Sequence, residues 1–165
     1  MKTFHNALSS FLFPLFSRDK GFTLIELMVT ISLIAIVSIG TLVALNPADR
    51  LAAARNSQRQ AHLNTILNAI RQNAADNRGT FNCAAGDIPT STKKMAVGAG
   101  DFDIYSCIVP NYIYSLPFDP ATSTAHFTSA TDYDTGYTVI KASSTGIITL
   151  SAPAAELKKT ISITR

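Results

Sequence analysis

The side chains able to do chemistry in this chain are few and scattered. Glu26 is the single ionisable group in residues 22–45, FTLIELMVTISLIAIVSIGTLVAL. A carboxylate in such surroundings costs a few kcal/mol unless it is hydrated or paired. It is therefore either held by the dipole at the start of a helix or kept for a cationic partner. Cys83 and Cys107 are the only cysteines, so one intramolecular disulfide is the most that a monomer forms, and it requires an oxidising compartment. His5, His62 and His126 stand in unrelated segments with no His-x-x-x-His, Cys-x-x-Cys or Gly-x-Ser-x-Gly context around them. Gly98-Ala99-Gly100 lacks the further glycine of a dinucleotide loop. No catalytic constellation is present, and the expectation is a protein that is not an enzyme.

The elements that must carry these groups follow from the patterning. Residues 22–45 as a helix would span roughly 36 Å, enough to cross a bilayer core of about 30 Å with some tilt. Their content of Val, Ile and Thr suits a strand as well, but inside lipid only a helix satisfies its own backbone. An ordinary secretory signal fits poorly: the earlier apolar stretch, residues 7–16, contains Pro14, runs into Arg18, Asp19 and Lys20, and precedes no small-x-small cleavage site.

Asn46-Pro47-Ala48-Asp49 then interrupts the apolar run. A proline inside a helix kinks it, whereas Asn46 as a cap with Pro47 at the first position would start a new one. One bent helix and two abutting helices both remain open. Over residues 46–78, Leu51, Leu63, Ile66, Leu67, Ile70 and Ala74 recur at helical spacing, with Arg55, Asn56, Arg59, Gln60 and Arg71 as the polar complement and Gly79 as the stop.

Residues 79–165 turn towards Thr, Ser, Tyr, Ile, Val and Gly. Strands are expected at 105–109, 137–142, 147–152 and 160–164, with Ser143-Ser144-Thr145-Gly146 as a hairpin turn and residues 82–103 as a long loop. The fold class is α+β: a long N-terminal transmembrane helix with a Pro kink, packed at its C-terminal half on a small antiparallel sheet. A bridge between Cys83 and Cys107 would tie the long loop to the first strand and contribute about 3 kcal/mol; two free thiols are the alternative.

The net charge of +3 resides mostly in Lys2, Arg18 and Lys20. From Phe22 onward, eleven Lys and Arg face ten Asp and Glu, a near balance that argues against nucleic acid as a partner. Charge does not orient the membrane helix either, since Arg50, Arg55 and Arg59 on one side match Lys2, Arg18 and Lys20 on the other.

Lys20-Gly21-Phe22-Thr23-Leu24-Ile25-Glu26 and the apolar run behind it resemble the N-terminal cleavage motif of type IV prepilins and type II secretion pseudopilins. The resemblance implies four segments: a cleaved leader (1–21), a hydrophobic transmembrane and assembly helix (22–45), an amphipathic helix (46–78) and a β-rich head (79–165). It implies a prepilin peptidase cutting between Gly21 and Phe22 and methylating the new Phe22 amine, and Glu26 pairing with that amine in a neighbouring subunit. The implied partners are other copies in a helical filament homopolymer, an inner-membrane assembly platform and, before assembly, the lipid bilayer. The head would lie outside the cytoplasm, in a pilus or periplasmic filament. The leader is longer and more apolar than the usual pattern and carries Asp19 near the cut. The alternative from a different class is a membrane-anchored, minor pilin-like binding protein for DNA uptake, adhesion or a secretion tip.

Leu116-Pro117-Phe118-Asp119-Pro120, followed by Asp132-Tyr133-Asp134-Thr135-Gly136, resembles the calcium loop of major pseudopilins but lacks the Trp-Gly after Asp-Pro. The resemblance makes Asp119, Asp132 and Asp134 candidate Ca²⁺ ligands, carboxylates being the hard donors this ion takes. Turn-forming surface aspartates are the other reading.

Overall fold

The computed structural model describes residues 21–165, with the backbone alone for 42–45. The expected leader, with Lys2, His5, Arg18 and Lys20, lies outside the described residues. The chain divides at Asn46–Pro47 into two units.

The first unit contributes helix α1, Leu24–Leu45. Thr23 caps it: its Oγ1 accepts from the Glu26 N–H at 3.2 Å, and its carbonyl receives the Leu27 N–H. Asn46 adopts the left-handed conformation (φ 40°) and ends the ladder. Helix α2, Pro47–Asp76, starts at the proline, where the missing N–H costs nothing. The interruption thus separates two helices.

The second unit is α2 on a five-stranded antiparallel sheet. α2 ends where expected, with Arg78 and Gly79 both at positive φ and the Gly79 N–H closing on the Ala74 carbonyl at 2.7 Å. The strands are β1 (Lys93–Ala96), β2 (His126–Ser129), β3 (Asp132–Lys141), β4 (Ile148–Ala152) and β5 (Ile161–Thr164). The order is β1-β3-β4-β5. β2 pairs with the first part of β3, and Asp134 has Ala96 of β1 on one side and His126 of β2 on the other. β2 and β4 therefore share one edge of β3, with a gap between them. The core beneath joins Leu63, Ile66 and Ile70 of α2 to Met95, Tyr137, Val139 and Leu150 of the sheet, all at 0 % exposure. Burial of one such side chain is worth about 1.5–3 kcal/mol.

Three expectations need correction. Residues 105–109 alternate like a strand but form a short helix, α3 (Tyr105–Ile108): Asp103 Oδ1 accepts the Tyr105 N–H, and Pro110 denies any continuing ladder a donor. The loop expected over 82–103 contains β1, in which two lysines precede the buried Met95 and Ala96. The acidic segment 132–136 belongs to β3 and is not a loop. The hairpin turn at 143–146 forms as expected, with the Ala142 N–H bonded to the Ile147 carbonyl and Gly146 at φ 70°.

Cys83 and Cys107 are disulfide-bonded with Cα atoms 4.8 Å apart, so the bridge ties the segment after α2 to α3 rather than to a strand. Asn73 of α2 clamps the same two segments: its Nδ2 donates to the carbonyls of Asn82 and Cys107, and its Oδ1 accepts the Asn82 N–H, all at 2.8–2.9 Å.

Candidate functional site

The N-terminal unit presents Gly21, Phe22 and Glu26 in the order in which a processing and assembly site would use them. A Cβ built on Gly21 would meet nothing within 4 Å among the described residues. Phe22 is 81 % exposed just ahead of the Thr23 cap, and Glu26 lies in the first turn, where the helix dipole favours an anion.

Leu24–Thr41 is, by length and composition, the one stretch among the described residues able to cross a membrane, and none of it is buried. Its apolar side chains point outward all round, from Val29 at 49 % exposure to Leu24 at 76 %. The hydroxyls of Thr30, Ser32, Ser38 and Thr41 each donate to a carbonyl three or four residues earlier, at 2.7–2.9 Å. α1 thus satisfies its own hydroxyl donors, as a hydrocarbon surrounding demands. Glu26 is the only ionisable group in the helix.

In the head, the residues expected to gather round calcium stand apart. Asp119 is buried with Arg59: Nε reaches Oδ2 at 2.7 Å and Nη2 reaches Oδ1 at 3.0 Å. The N–H groups of Ala121 and Thr122 also donate to its Oδ1. Burial by itself would raise the Asp119 pKa, but the Arg59 and backbone hydrogen bonds outweigh it and bring the group down to about 2. Asp134 accepts Lys94 Nζ at 2.7 Å and the Gly136 N–H, and exposed Asp132 meets His126 Nε2 at 3.1 Å. Each carboxylate has its own cation or donor, and among the described residues no group of three or more His, Cys, Asp or Glu could hold a metal ion. In this arrangement the three carboxylates do not form the convergent set that the sequence led one to expect.

The groups missed from sequence are those that hold the head together. Arg59 and Asn56, expected on the polar face of α2, are 1 % and 5 % exposed. Arg59 Nη1 also donates to Glu156 Oε2 (2.8 Å) and Asn56 Oδ1 (2.9 Å), while Arg55 grips the same Glu156 carboxylate. The two arginines, Arg55 first, hold Glu156 down to about 2. Asn56 completes the grip by exchanging hydrogen bonds with the Glu156 backbone N–H and carbonyl. α2 thereby pins the loop of Asp119 and the loop of Glu156. The spacing of Arg55, Asn56 and Arg59 put them on one face, but nothing local named partners about a hundred residues away.

Residues 16–42 match the prokaryotic N-terminal methylation motif, the signature carried by type IV pilins and pseudopilins. Neither the curated proteins nor the solved structures contain a match to this chain.

Proposed function

We propose that this chain, pilin-like by its methylation motif, is the structural subunit of a type IV pilus or pseudopilus filament. A prepilin peptidase removes the leader at Gly21–Phe22 and methylates the Phe22 amine. α1 then holds the subunit in the inner membrane with the head outside the cytoplasm, until the assembly platform passes it into a polymer of copies. The observation that carries this reading is α1 itself: it is exposed and apolar all round, with a lone carboxylate in its first turn. Such a surface must be covered by lipid or by protein, and equivalent helices of other copies supply protein cover after lipid. Glu26 then pairs with the neighbouring Phe22 amine, so a subunit out of axial register leaves a carboxylate unpaired in an apolar bundle.

Mass spectrometry of the mature N-terminus tests processing, with a methylated Phe22 expected and an intact leader or another start telling against it. Glu26→Ala tests assembly: membrane insertion persists while filaments on the cell surface are lost. Undiminished filaments in that variant would confine Glu26 to a dipole role. A wild-type chain that stays monomeric in the membrane would favour an anchored binding protein.

A further inference from the structure

The end of the head at which α2 begins carries a feature that core packing does not require. Leu157 and Lys158 are consecutive non-glycine residues at φ 59° and 56°, a left-handed conformation that costs L-residues energy. Neither side chain is buried in return: Leu157 is 42 % exposed, and Lys158 and Lys159 are exposed. The strained turn is nevertheless held firmly, because the residue before it, Glu156, is gripped through its N–H, its carbonyl and its carboxylate by Asn56, Arg55 and Arg59. The Lys159 N–H closes the turn on the Glu156 carbonyl at 3.2 Å. One helical turn before Arg55, Leu51 is 60 % exposed, and Arg50 beside it is exposed too. Two large apolar side chains and three exposed cations thus belong to adjoining segments.

We propose that this patch, Arg50, Leu51, Leu157, Lys158 and Lys159, docks the head on anionic lipid headgroups while the subunit waits in the membrane. The inference rests on the reading of α1 as membrane-spanning. A single residue, Asn46, separates α1 from α2, so Arg50 follows the apolar helix by one turn of chain and stays within reach of the headgroup layer at any angle between the helices. Leucines enter the boundary between headgroup and acyl chain, while lysine and arginine meet the phosphates. Each cation near an anionic surface multiplies the docked population by about fivefold, so three together contribute roughly a hundredfold.

Hydrogen–deuterium exchange on the full chain in nanodiscs tests this, with phosphatidylglycerol-containing discs compared with pure phosphatidylcholine. Amides of residues 47–58 and 153–160 are expected to be protected in the anionic discs. That protection is lost in high salt and in the triple variant Arg50→Gln, Lys158→Gln, Lys159→Gln, whose sheet amides exchange as in wild type. Equal exchange in both lipids, with α1 protected throughout, overturns the docking and leaves the membrane reading intact. Protection that follows protein density instead of lipid charge assigns the patch to a second copy and overturns it as well. An unprotected α1 overturns the membrane reading and the docking together.

Discussion

Arg59 and Asp119 lie sixty positions apart in sequence and form a two-pronged ion pair at 1 % and 0 % side-chain exposure, with four of the five guanidinium N–H groups accounted for by Asp119, Glu156 and Asn56. The pair joins α2 to the strap entering β2, and the Asp119 N–H bonds the Thr135 carbonyl of β3, in the sector between β2 and β4. Removing one partner strands a buried charge. Arg59→Met is expected to lower stability by about 3–5 kcal/mol. Arg59→Met with Asp119→Leu is expected to recover much of that loss. Urea unfolding of the full chain in detergent, followed by circular dichroism, measures both; an additive double variant would tell against the pair acting as a unit.

Acid should loosen the same junction. Asp119 and Glu156 are each held at about 2 in the folded head, below the ordinary carboxylate values of 3.8 and 4.5. A depressed folded pKa contributes stability that is fully present above the unfolded pKa and is lost as pH falls through the folded one. The contribution of these two carboxylates to the melting temperature is therefore expected to be level above about pH 5 and to drop between about pH 4 and 2. Asp119→Asn, less stable at neutral pH, should show a shallower drop.

Gly136 and Gly146 both have positive φ, yet substitution should affect them differently. At Gly136 an added Cβ would come 3.0 Å from the Asp119 Cβ and 3.3 Å from the Ala125 Cβ; at Gly146 it meets nothing within 4 Å. Gly146→Ala is expected to cost the left-handed strain alone, about 1–2 kcal/mol. Gly136→Ala adds displacement of Asp119 from Arg59 and should cost clearly more. Equal losses in thermal melts would mean that the strap yields freely.

The disulfide and Asn73 hold the same two segments, so each should soften the loss of the other. Cys83→Ser with Cys107→Ser is expected to lower stability by about 3 kcal/mol while the head stays folded. Adding Asn73→Ala should cost more in that background than in the oxidised protein. A double-mutant cycle on urea midpoints reads the difference, and strict additivity would show the two ties to be independent.

Melting curves in calcium and in chelator are expected to superimpose, because Asp119, Asp132 and Asp134 already face Arg59, His126 and Lys94 separately. A rise in melting temperature with calcium, abolished by Asp132→Ala, would show that the three carboxylates regroup round the ion.

Residues 22–45 determined their own structure, since so long a run with one ionisable group leaves the backbone no state but a helix once water is excluded. Much of the α2 stripe, from Leu63 to Ile70, was legible for a similar reason: the 3.6-residue period repeats often enough to outvote local exceptions. The strands β4 and β5 and the second half of β3 were readable from alternating Val, Ile, Tyr and Leu, and the hairpin joining β3 to β4 from Gly146. Of the four-residue elements only β5 was; α3, β1 and β2 were not. α3 and β1 carry too few residues for a period to show, and their states were decided by the Asp103 carboxylate, Pro110 and the neighbouring strand. Leu51 had the right spacing for the core and stayed 60 % exposed, while Ala52 beside it is the residue of that turn that is buried. Arg59 is the sharpest case: its charge and its helical position both argue for solvent, and only the arrival of Asp119 and Glu156 from distant loops makes burial the lower free energy. Long-range pairing of this kind depends on chain closure in three dimensions, which no local window of sequence encodes.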